Sequence, residues 1–74
     1  MSHLPHLSGQ EVIAALVKIG YTKDRQKGSH IVLRQDFSPY RRIVVPDHRE
    51  IAKGTLRAII RQAGLTVDVF KELL

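Results

Sequence analysis

Seventy-four residues with 43% hydrophobic content make one small domain, 1–74, near the lower size limit for independent folding. The absence of cysteine rules out disulfides and cysteine-based zinc sites, and no apolar run approaches the roughly 18 residues that span a bilayer. Twelve Lys and Arg oppose seven Asp and Glu for a net charge of +5, and eleven of the basic but only four of the acidic residues lie between Lys18 and Arg61. That concentration of positive charge is the footprint of a polyanion or an acidic protein partner. The start, "MSHLPHLSGQ", lacks the basic head and apolar stretch of a signal peptide. A cytoplasmic protein is expected, with residues 1–6 as a flexible leader.

"LSGQEVIAALVKIGY" carries a helix start. Ser8 and Glu11 have capping-box spacing, and Leu7 and Val12 have the spacing of a hydrophobic staple. Val12, Ile13, Leu16 and Val17, widened by Ile19, form the expected apolar face, and Gly20 ends the helix. "YTKDRQK" has no helical stripe and reads as an edge strand. "GS" is a tight turn, and "HIVLRQ" is rich in β-formers. "DFSPY" is a loop around Pro39. "RRIVV" is a third strand stopped by Pro46. Alternation sets Ile31 and Leu33 on one face, with His30, Val32 and Arg34 on the other. Helices on one face only would leave His30 and Arg34 on the open side, unless a bulge near Gly28 reversed the phase.

"PDHREIAKGTLRAIIRQAGL" leads into a second helix with Leu56, Ile59, Ile60 and Ala63 as its core stripe and Gly64 as its stop. Thr66 caps a short last helix anchored by Phe70, Leu73 and Leu74. The expected architecture is α+β: a helix, an antiparallel three-stranded meander, then two helices, with all helices on one face.

Two groups of residues could carry chemistry. Lys53, Arg57 and Arg61 stand four apart, a like-charged ladder that costs an isolated helix a few tenths of a kcal/mol per pair and that a glutamate would relieve. The free amides at Lys53, Gly54 and Thr55 and the positive end of the helix dipole suit a phosphate. The second group is "KGSHIVLR": His30 follows Gly28 and Ser29 at a turn and is flanked by Lys27 and Arg34. An imidazole can take and return a proton near neutrality, which makes His30 a candidate general base; a histidine merely tolerated beside a turn is the plain alternative. His48 reads as a loop hydrogen bonder, and His3 and His6 alone make a poor metal site. Nothing here forms a nucleophile elbow, a P-loop or a two-metal carboxylate cluster. Aromatics are too sparse (Tyr21, Phe37, Tyr40, Phe70) to stack several unpaired bases.

Taken together, "KGSHIVL", "RRIVVPDHREIAKGTLRAIIRQAGL" and the first helix ending "IGY" resemble the HicA (YcfA-like) toxins of prokaryotic toxin–antitoxin pairs, from about Leu7 to Leu74. The resemblance implies a double-stranded-RNA-binding-like α-β-β-β-α fold and a small ribonuclease acting on messenger RNA, covered by a HicB antitoxin. It places the catalytic histidine on His30, with Gly28 and Ser29 beside it, and matches the basic helix at Lys53, Gly54, Thr55 and Arg57. No metal or cofactor is required by these residues. The attacking group, water or a ribose 2′-hydroxyl, stays open. The alternatives are a non-catalytic double-stranded-RNA-binding module, for which His30 would be dispensable, and a domain whose basic face meets an acidic protein.

Overall fold

The computed structural model describes residues 3–74. In chain order it forms α1 (Gly9–Val17), β1 (Tyr21–Lys27), β2 (His30–Gln35), β3 (Arg42–Pro46), α2 (Lys53–Gln62) and α3 (Val67–Glu72). The strands make one antiparallel sheet in the order β1-β2-β3, so the expected α+β arrangement is the one observed. One core holds it together. Ile31, Leu33, Ile43 and Val45 from the sheet pack with Val12 and Leu16 of α1, Leu56, Ile59 and Ile60 of α2, and Phe70 of α3.

The start of α1 is fixed by its own sequence. Ser8 Oγ accepts from the Glu11 amide at 3.1 Å, and the Ser8 amide donates to Glu11 Oε1 at 2.9 Å. This reciprocal pair satisfies two amides that the helix itself cannot. Leu7 and Val12 are both buried, as the staple requires. One expectation is corrected: Val17 is 50% exposed, whereas Ala15, not assigned to the core stripe, is buried. With about 100° between successive helical residues, the stripe is centred on 12, 15 and 16, and position 17 turns away from it.

The leader expected over residues 1–6 lies partly outside the described residues; within them, Leu4 is buried, and the Leu7 carbonyl accepts from the Ile51 amide at 2.7 Å. Gly20 has φ +99° and receives the Phe37 ring against its Cα, so both conformation and space call for glycine. All four expected core residues of α2 are buried, and Gly64 ends it with φ +74°. Thr66 caps α3 by accepting from the Val69 amide at 3.1 Å, and Phe70 is fully buried. Leu74, expected as an anchor, is half exposed, since the helical run has already ended at Glu72. Strand β3 runs one residue past its expected stop. Pro46 lies opposite His30 in the register, at a strand end where its missing amide removes no ladder bond from the interior.

Only the tertiary structure shows why residue 9 is glycine. The first turn of α1 meets the end of β3 so closely that a Cβ on Gly9 would run into the Pro46 carbonyl, while the Gly9 amide donates to the His48 carbonyl at 2.9 Å. Backbone blocks the added atom on a helix that is itself held by the core. Gly9→Ala is therefore expected to destabilise the domain by about 1–3 kcal/mol, the range for overpacking, read as a lowered denaturation midpoint.

Candidate nucleic-acid interface

His30 is set by the turn that precedes it. Lys27 and His30 are the last paired residues of the β1–β2 hairpin, joined by Gly28 and Ser29. Gly28 has φ +59°, the positive value that a two-residue II′ turn needs at its first central position. A Cβ on Gly28 would meet nothing within 4 Å, so the demand for glycine is conformational and not steric. The Gln26 side-chain amide donates to the Gly28 carbonyl at 3.0 Å, and the Ser29 carbonyl accepts from the Asp47 amide at 2.6 Å. The turn is thus tied to β1 and to the residue that follows β3. The His30 side chain is exposed at the first position of β2, and among the described residues no hydrogen bond or ion pair engages its ring.

Burial along β2 alternates from His30 onward, with Ile31, Leu33 and Gln35 buried and His30 and Arg34 exposed. No bulge lies between Gly28 and His30. The irregularity falls instead in β1, where Lys23 pairs with Leu33 but Arg25, skipping Asp24, pairs with Val32. Directly opposed residues in an antiparallel pair share a face. The extra residue therefore re-phases the rest of β1 and turns Arg25 and Lys27 to the same side as His30. From β3, Arg42 lies opposite Arg34, Val44 opposite Val32 and Pro46 opposite His30.

The helix-free face consequently has three rows across its strands. Lys27, His30 and Pro46 form one end; Arg25, Val32 and Val44 the middle; Thr22, Arg34 and Arg42 the other end. The Asp24 carboxylate lies 3.9 Å from Arg42 Nε, with the aspartate side chain 29% exposed. His30, Lys27 and Arg34 are brought together on this face, in company with Arg25 and Arg42, which sequence reasoning missed. Arg42 was legible in principle, because it alternates with the buried Ile43 and Val45. Arg25 was not, since strict alternation sends it to the opposite side.

The helical ladder is elsewhere. Lys53, Arg57 and Arg61 are exposed on α2, whose Leu56, Ile59 and Ile60 lie in the core under the other face of the sheet. The helix has Ala52 at its N-cap and no side-chain cap, so the Lys53, Gly54 and Thr55 amides have no side-chain acceptor. A Cβ on Gly54 would also meet nothing within 4 Å. His48 is exposed in the β3–α2 connection, held there through its carbonyl. Among the described residues the one resolved shift in acidity is at a buried phenol: burial raises Tyr21 above its ordinary value, partly offset by the Arg41 guanidinium.

Residues 9–65 match the family model described as the HicA toxin of bacterial toxin–antitoxin. The chain belongs to the HicA toxin family. A chain in a solved toxin–antitoxin complex from Streptococcus pneumoniae is 37% identical to it with a TM-score of 0.68, covering 80% of this chain and 98% of its own. No curated protein matches the chain. The matched span contains the whole sheet, the Gly28–Ser29 turn and all of α2; α3 follows it as an extension of the same core. The chain is thus a member of a toxin family that works in toxin–antitoxin systems, and among the described residues no helix is long and apolar enough to cross a membrane.

Gly28→Ala places an L side chain at a positive φ, a strain of about 1–2 kcal/mol. Its denaturation midpoint should fall accordingly, and a chemically made protein with D-alanine at position 28 should retain the parent midpoint.

Proposed function

We propose that this member of the HicA family is a metal-independent endoribonuclease that cuts messenger RNA, with His30 as general base, and that a HicB-type antitoxin neutralises it. The observation that carries the reading is the placement of His30: exposed, at the mouth of a strand, on a face that also bears Lys27 and Arg34. The base must reach solvent and substrate, and the phosphate it works beside must be held by cations. The exposure of His30 and the position of Lys27 directly opposite it support both requirements. The family's association with an antitoxin, and the complex to which the chain is similar, support a protein partner that covers this site.

The step balances without a cofactor. His30 takes the proton from the attacking oxygen, a ribose 2′-hydroxyl or a water, as that oxygen forms a bond to phosphorus. The bond from phosphorus to the leaving 5′-oxygen breaks in line, and the leaving oxygen takes up a proton. Lys27, directly opposite His30, stabilises the charge that grows on the non-bridging oxygens, as preorganised donors do, while Arg34, two rows away on the same face, holds a neighbouring phosphate. Ser29 stands next to the base as a hydroxyl donor. Lys53, Gly54, Thr55, Arg57 and Arg61 hold a more distant part of the RNA through the uncapped helix amides and the basic ladder.

Two variants test this division of labour. His30→Ala should lower the cleavage rate at least about 10²-fold, the lower end for loss of a positioned base, with an unchanged circular dichroism spectrum and lost growth arrest. Folded His30→Ala cutting RNA at the parent rate would remove the assignment. The chemical form of the new 3′ end, cyclic phosphate or monoester, identifies the attacking oxygen. Gly54→Ala should raise helix stability by about 0.5–1 kcal/mol, because glycine there has no steric or conformational reason. It should also weaken RNA binding if the backbone approaches a phosphate at that position, and titration with a labelled oligonucleotide reads this directly.

A further inference from the structure

The helix-free face holds more cationic side chains than a single proton-transfer site uses. Arg25 and Arg42 are exposed one and two rows away from His30, and neither belongs to the "KGSH" turn or to the basic helix. Arg42 stands directly opposite Arg34, and like charges so placed repel. Two carboxylates reach this face: Asp36 accepts from Thr22 Oγ1 at 3.0 Å, and Asp24 lies 3.9 Å from Arg42 Nε, too long for a hydrogen bond, so among the described residues neither arginine has a hydrogen-bonded acidic partner. A face serving only stability would gain from a glutamate opposite either arginine. In the middle row, Val44 is 48% exposed and neighbours half-buried Val32, so an apolar strip lies between the cations.

We infer that this face is a track for single-stranded RNA, on which Arg25, Arg34 and Arg42 hold successive backbone phosphates and lead the strand to His30 at its end. The inference rests on the ribonuclease reading for the role of His30 and adds the substrate form, the path and two ligands, Arg25 and Arg42. Residues two apart on one strand face repeat at about 6.8 Å, and three strands span about 10 Å. That is a narrow, nearly flat strip, suited to one extended strand. An in-line attack by the 2′-hydroxyl also needs a sugar–phosphate unit free to rotate, and A-form pairing holds that oxygen out of line. Single strands can splay their bases and reorient their backbone. With no aromatic residue in the three rows, affinity comes from phosphates and the valine strip, so binding should be strongly salt-dependent and tolerant of sequence.

The test separates this from the catalytic reading by measuring binding on the His30→Gln protein, which holds RNA without cutting it. A labelled mixed-sequence 12-nucleotide RNA, titrated by fluorescence anisotropy, should bind more tightly than the same sequence in a duplex. Arg25→Gln with Arg42→Gln should weaken binding about tenfold or more, and should reduce the slope of log K against log[salt] by about 1.4, two contacts at about 0.7 each for a single strand. Asp24→Asn should act oppositely and tighten binding. Equal or better binding of the duplex overturns the proposal. So does an unchanged salt slope in the double variant, above all if Lys53, Arg57 and Arg61 changed together to Gln abolish binding. Should the double variant lose capture by a HicB-type antitoxin while keeping full RNA affinity, the face is a protein interface and the track is wrong. Retained cleavage by His30→Ala would remove the catalytic assignment alone and leave the binding result standing.

Discussion

The phase of β2 is the constraint from which the rest follows. Ile31 and Leu33 must lie under the helices, and side chains along a strand alternate with period two, so His30, Val32 and Arg34 must face away. Burying each large aliphatic side chain contributes about 1.5–3 kcal/mol. A slip of one residue would put Ile31 and Leu33 in water and an arginine and a histidine into the core. The register is therefore held by core packing, and the exposure of His30 is a by-product of that packing. At the two ends of β2, Gly28 starts the hairpin with its positive φ and the Gln35 amide donates to the Arg41 carbonyl at 2.9 Å, closing the next loop.

Charge is arranged by the same constraint. Positive residues cannot enter the core, and two groups of them gather on the outer side of α2 (Lys53, Arg57, Arg61) and on the open face of the sheet (Arg25, Lys27, Arg34, Arg42). The bulge at Asp24 decides that Arg25 and Lys27 join the second of these. Asp24 itself lies 3.9 Å from Arg42 Nε, which moderates the repulsion between Arg42 and Arg34. The toxin family to which the chain belongs acts within a pair, and a cationic face of this kind is as available to a protein inhibitor as to a nucleic acid. Under the proposed function, competition for one surface would be the simplest physical basis for neutralisation, because a partner that covered His30 would not need to reshape it.

Much of this was legible in the chain itself. The Ser8–Glu11 cap, the Gly20 and Gly64 stops, the α2 stripe and the limits of β1 and β2 all follow from local chemistry: a hydroxyl three residues before a carboxylate, a glycine where φ must be positive, apolar spacing of 3 and 4. Less legible were features that depend on what a residue meets. Val17 and Ala15 exchange roles because a helix has one line of closest approach to its sheet, and composition does not say where that line runs. Gly9 looks like an ordinary first-turn residue until Pro46 arrives beside it. Arg25 looks buried-side by alternation until Asp24 loops out.

By itself the sequence determined the elements, their order, the family and the exposure of His30 relative to Ile31, since each depends on neighbours only a few residues away. The tertiary structure alone decided which cations accompany that histidine and that the α2 ladder lies across the core from it. Those are facts of strand register and layer packing, settled by contacts between residues far apart in the chain, and no local pattern encodes a one-residue bulge.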